Sequence, residues 1–259
     1  MKKNSIFLEK NGNIGWIILN QPDKRNAISK NMWELLPELL ETAKNDKDIK
    51  VVVLRGAGEK IFAAGADISE FQDIHSKKDV SIRYNQIILE AEIMLTNFPK
   101  PTIAMIYGAC VGGGCGLALA CDLRFGDKNS KFSIPPANLG LVYSLHGTKL
   151  LIEKVGPSVA KDMLFSARFV HWEEAQNIRL LDKVFEEKDL KVKTIEYCNA
   201  LSNKSSYTIN STKKIIQMIL NGQTEDNNIT LDLFNAAFTG DDYIEGTKAF
   251  LEKRKPNFN

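Results

Sequence analysis

The stretch Gly108-Ala109-Cys110-Val111-Gly112-Gly113-Gly114-Cys115-Gly116-Leu117-Ala118-Leu119-Ala120-Cys121-Asp122 decides how the chain is read. It follows a short apolar run, residues 102–107, that reads as a buried strand. Its glycines make a turn, and residues 115–120 read as a helix packed from small apolar side chains. A glycine-rich turn that opens a helix presents unpaired N–H donors and the positive end of the helix dipole. The glycines are consecutive, so they are not the spaced G-x-G-x-x-G of dinucleotide sites. No Gly-Lys-Ser/Thr follows, so they are not a phosphate-binding P-loop either. A second loop of small residues lies upstream, Ala63-Ala64-Gly65-Ala66-Asp67. Two such loops meeting in space would form an oxyanion hole.

Working outward, residues 5–9 and 14–19 flank an Asn-Gly pair and read as a β-hairpin. Ser29 is placed to cap a helix running to about residue 44, with Pro37 as a possible kink. Residues 49–54 form a Val-rich buried strand, 61–67 a loop, and 80–97 a helix ending before Pro99. Residues 123–125 read as a further strand. Beyond Gly147 the pattern is mostly helical, with one late strand at 183–186. Strand–turn–helix units followed by helices imply an α/β core with a helical C-terminal region.

The 259 residues are enough to bury a self-sufficient core. Apolar residues are 44% and charged residues 25%, ordinary for a globular protein. Lys plus Arg is 34 and Asp plus Glu 32, a net charge of +2 that gives no reason to bind nucleic acid or an anionic membrane. No apolar run is long enough to span a bilayer, and the N-terminus lacks the apolar core of a secretory signal. The four cysteines match no zinc spacing and no disulfide framework, so no metal and a reducing, cytoplasmic setting are expected. The basic tail around Lys253-Arg254-Lys255 is either a solvated end or a contact for a phosphate-bearing ligand or a subunit.

The glycine-rich stretch is also where a resemblance appears. With residues 19–28, 62–68, 101–104, 132–140 and 245–254, in that order, the chain resembles the crotonase superfamily, the enoyl-CoA hydratase/isomerase family. The resemblance covers nearly the whole chain. It implies an α/β fold, the crotonase-type (ClpP/crotonase) spiral of ββα units over residues 1–195. A C-terminal helical trimerisation region would occupy residues 196–259. It further implies an acyl-CoA substrate, coenzyme A entering only as part of that thioester with no separate cofactor, and a homotrimer or a hexamer built as a dimer of trimers. The backbone N–H groups of Ala66 and Gly113 would be the oxyanion donors. Lys24, Arg25, Ala63, Ala64 and Ala66 would lie near the CoA moiety.

Two departures bear on the reaction. Hydratases of the family carry glutamates at the positions of Gly116 and Pro136, and both are absent here. Water addition needs a base for water and an acid for the α-carbon, which neither residue supplies. Tyr143, Ser144 and His146 are the nearby candidates, with Tyr143 and His146 the catalytic ones. The segment 132–143 also resembles the methylmalonyl-CoA decarboxylases of the family. An atypical reaction such as decarboxylation of a malonyl-type ester, which needs an oxyanion hole and no base, is therefore expected. Enoyl-CoA hydration is the alternative, and non-catalytic acyl-CoA binding a third reading. His75 and His171 are given no role.

Overall fold

The computed structural model describes residues 4–71 and 78–258. His75 lies outside the described residues. The chain opens with β1 (Ile6–Asn11) and β2 (Ile14–Leu19), the antiparallel hairpin expected around Gly12, followed by α1 (Lys30–Asn45). Ser29 caps α1 by accepting from Met32 N–H, and Pro37 sits inside the helix.

Three ββα units then follow. β3 (Val51–Gly56) and β4 (Ile61–Ala63) lead to α2 (Lys78–Thr96). β5 (Thr102–Ile106) and β6 (Ala109–Val111) lead to α3 (Gly113–Ala120). β7 (Leu123–Asp127) and β8 (Lys131–Ser133) lead to α4 (Leu145–Ser166). In each unit the first strand joins a six-stranded sheet and the second a smaller four-stranded one. Successive units therefore step along two sheets at once, which is the spiral. β9 (Val170–His171) closes the small sheet, in the order β4-β6-β8-β9. After α5 (Trp172–Asn177), β10 (Lys183–Phe185) closes the large sheet, in the order β1-β2-β3-β5-β7-β10.

The central strands of the large sheet are parallel and buried on both faces, which is why they read as unbroken apolar runs. Leu19, Val52, Leu54, Ala104 and Ile106 point to one core, packed against Trp33, Leu36 and Leu40 of α1 and Ile87, Ala91 and Leu95 of α2. Their alternating neighbours Trp16, Val51, Val53, Ile103 and Met105 point to the other, against Leu190 and Cys198 of α6 (Glu187–Ser202).

The expected division at residue 195 falls within α6, which packs on the large sheet. Beyond it lie α7 (Ser206–Leu220), α8 (Asn228–Ala236) and α9 (Asp241–Leu251). Among the described residues after Ser202, only Thr230 and Ala249 are buried. Lys213 ties α7 to the core through Asp122 (2.7 Å) and the Lys100 carbonyl (2.9 Å). The basic tail is folded back on itself: Arg254 grips Glu245 at 2.6 and 2.9 Å and also pairs with Glu252. Its guanidinium is committed to these partners.

The four cysteines are free and buried. Among the described residues, no helix is long and apolar enough to cross a membrane.

The turn between β2 and α1 is pinned by Asn26, buried with a positive φ of 54°. Its amide donates to the Ala57 and Ile61 carbonyls and its Oδ1 accepts from Gln21 N–H. Asn26→Ala strands these buried groups and is expected to cost about 2–4 kcal/mol. Urea denaturation checks this; a loss under about 0.5 kcal/mol, the size of an ordinary surface change, would show that the turn holds without it.

Candidate active site

The two small-residue loops meet. At Gly65 and Gly112, with φ of 104° and 52°, the backbones lie so close that a Cβ on Gly112 would be 3.7 Å from the Gly65 Cα. At the second residue of α3, a Cβ on Gly114 would fall 2.8 Å from the Ala63 Cβ. Only glycine permits both the left-handed backbone and this approach.

The contact turns two N–H groups outward. Ala66 bridges Ile28 in parallel, and that bridge uses the Gly65 carbonyl and the Asp67 N–H. Ala66's own N–H points the other way. Gly113 is the first residue of α3, so its N–H has no partner within the helix. Both residues are partly exposed, and neither N–H meets an acceptor among the described residues. The indole of Trp33 lies beneath Gly113.

The other expected residues divide. Lys24 is half exposed and pairs with the buried Asp67 at 2.6 Å, beside Ser69. Burial would raise the Asp67 pKa, but Lys24 and the Ser69 hydrogen bonds outweigh it and hold the carboxyl below its ordinary value. The Arg25 carbonyl accepts from Ala64 N–H at 3.1 Å, so segments 24–25 and 63–66 are adjacent. Arg25 is exposed and Ala64 partly so, whereas Ala63 is fully buried beneath Gly114.

Tyr143 reaches inward. Its hydroxyl is buried with no hydrogen-bond partner, 3.4 Å from where a Cβ on Gly116 would lie. Burial first, and then the nearby Glu92, push its pKa well up, so it is a neutral phenol. Ser144 caps α4 by accepting from Gly147 N–H. His146 Nε2 is 3.2 Å from Thr96 Oγ1, and that hydroxyl donates its one proton to the Glu92 carbonyl. That arrangement favours the tautomer in which Nε2 carries the hydrogen and donates. Burial, with Lys149 nearby, lowers the His146 pKa. The ring thus fastens α4 to α2.

Glu92 was not among the expected residues, and it changes the site. It is 4% exposed, and its carboxyl has no hydrogen bond or ion pair among the described residues. A Cβ on Gly116 would lie 2.2 Å from its Oε1, closer than real Cβ atoms come. The carboxyl thus fills the place of a side chain at position 116. The carboxylate-free pocket on which decarboxylation was expected is not what the fold builds. The sequence signal was there: an acid one turn after Ile88 and one turn before Thr96, on the buried stripe of α2.

Burial alone raises the Glu92 pKa from its ordinary 4.5 to about 7. The folded chain then keeps a proton that the unfolded chain has released. The destabilisation is absent below about pH 4.5, grows to about pH 7 and is constant above, on the order of 3 kcal/mol. The stability of Glu92→Gln relative to wild type is therefore expected to improve between pH 5 and 8. Denaturant melts at both pH values check it, and a pH-independent difference would contradict it.

The enoyl-CoA hydratase/isomerase family profile matches residues 9–259. The chain is 31% identical to the short-chain-enoyl-CoA hydratase of Clostridium acetobutylicum, over 98% of this chain and 97% of that one. It is 30% identical to the crotonyl-CoA hydratase of Syntrophomonas wolfei, over 100% and 99%. A crystal structure of an enoyl-CoA hydratase/isomerase family protein from Hyphomonas neptunium superposes with a TM-score of 0.96, at 36% identity over 98% and 97% of the two chains. The chain therefore belongs to the enoyl-CoA hydratase/isomerase family of the crotonase superfamily and is an enzyme acting on acyl-CoA.

Proposed function

We propose that this enzyme adds water to the double bond of an enoyl-CoA thioester. The observation that carries this reading is the pair of outward N–H donors, Ala66 and Gly113, on two abutting loops. A thioester oxygen seated between them gains negative charge as water attacks the β-carbon. Preorganised N–H dipoles stabilise that enolate without reorganising. Lys24, Arg25 and Ala64 line one side of the same loops and suit the phosphates of CoA. The names of the relatives, hydratases of short-chain and crotonyl esters, support hydration over the expected decarboxylation.

The test is a mass-spectrometric screen of enoyl-, malonyl- and methylmalonyl-CoA esters. A mass gain of one water on an enoyl ester is expected; loss of CO2 instead would overturn the reading. Gly113→Pro and Gly113→Ala separate the donor from the shape. Proline is accepted at the first position of a helix but has no N–H. Both variants bring the same Cβ toward Trp33, 3.1 Å away. Turnover of the proline variant is expected to fall at least about 100-fold below that of the alanine variant. Equal turnover would remove Gly113 N–H from the site.

The C-terminal helices serve assembly in this proposal, as a homotrimer or a dimer of trimers. They leave Phe234, Phe238 and Tyr243 exposed at 63%, 55% and 47%, stacked edge to face on one another. Phe250 and Leu251 are exposed at 82% and 80%. An apolar surface of this kind is covered by association, and a second copy of the chain is the occupant, because these helices have almost no core of their own. Light scattering is expected to give a multiple of three chains. Phe234→Asp with Phe250→Asp is expected to reduce it to one. A wild-type monomer would overturn the proposal.

A further inference from the structure

Hydration moves one proton from water to the α-carbon, and the family's two positions for the acids hold Gly116 and Pro136 here. The geometry points to Glu92 of α2 as the acid–base residue of this site, delivered from a neighbouring helix into the place a side chain at position 116 would fill. This assignment rests on the oxyanion site proposed above.

Position fits the task. Residues 113 and 116 are three apart on α3, so they share a face about one turn apart. The Glu92 carboxyl lies 2.2 Å from the Cβ place of residue 116, hence one turn along α3 from the Gly113 donor. Tyr143 borders the same space from the opposite loop. A thioester whose oxygen meets Gly113 N–H would extend its α- and β-carbons toward this carboxyl.

Gly116 and Glu92 also explain each other. A side chain at 116 would displace the carboxyl from its present position, so glycine there leaves room for Glu92. Burying an unpartnered carboxyl opposes folding, and no partner among the described residues offsets it. Such a group in a site is the mark of chemistry rather than of packing. With a pKa raised to about 7 by burial, both protonation states are accessible near neutrality.

One carboxyl completes the cycle. The Glu92 carboxylate takes a proton from water as the water oxygen bonds the β-carbon. The π electrons move onto the thioester oxygen, forming the enolate. Enolate collapse then draws the same proton from Glu92 to the α-carbon. Water is added across the bond and the carboxylate is restored.

The experiment measures crotonyl-CoA hydration and, separately, exchange of the α-hydrogens of butyryl-CoA in D2O. Both are run on wild type, Glu92→Gln and Glu90→Gln, the last an exposed acid on the same helix. Glu92→Gln is expected to lose about 100- to 10,000-fold in both assays while still binding butyryl-CoA. Glu90→Gln is expected to match wild type. Activity retained by Glu92→Gln overturns the assignment and leaves the hydration reading intact. Exchange without hydration in wild type, abolished by Glu92→Gln, overturns hydration and keeps Glu92. Neither activity in wild type overturns both.

Discussion

The close approach of two backbones at Gly65 and Gly112 is the constraint on which this molecule is arranged. It has positive φ on both sides, which favours glycine at each. It is held by the β4–β6 pairing and by Gly114 seated against Ala63. The Ala66 and Gly113 N–H groups point outward because the flanking groups are already used in the bridge to Ile28 and in the start of α3. The donors of the site are thus a by-product of how the two sheets are joined.

Around this fixed backbone, the titratable group arrives from elsewhere. Relatives of the family can place an acid on α3 itself; this chain has glycine there and a glutamate on α2 entering the same space. A side chain at position 116 would move the Glu92 carboxyl aside, so glycine there keeps that space open for it. The cost is a buried carboxyl without a partner, a destabilisation that the large two-faced core can absorb. The His146–Thr96 hydrogen bond adds rigidity where it matters, one turn from Glu92, and Ser144 caps the helix that presents His146.

The C-terminal region follows different physics. The core strands bury both faces, whereas the last three helices bury almost nothing. Their apolar side chains are too many for a solvated appendage and too spread out for a core. Self-association resolves this in the proposed assembly. The charge near zero opposes it little.

What the sequence by itself determined is what short-range pattern encodes. The Val-rich runs could only be doubly buried strands. Ser29 and the apolar spacing after it made α1, and Asn11-Gly12 made the hairpin. The glycine-rich loops carried the family. The small sheet was invisible, because β4, β6 and β8 are three residues each and β9 two, too short for any periodicity to register. Residues 61–63 and 109–111 therefore read as loop and turn. Arg254 read as part of a solvated end or of a ligand or subunit contact, although its partner Glu245 sits nine residues away across the end of α9. Glu92 was missed for the same reason. Absence of glutamate at positions 116 and 136 is a statement about two points on the chain. Whether a carboxyl stands in the site depends on how α2 lies against α3, and only tertiary packing sets that distance.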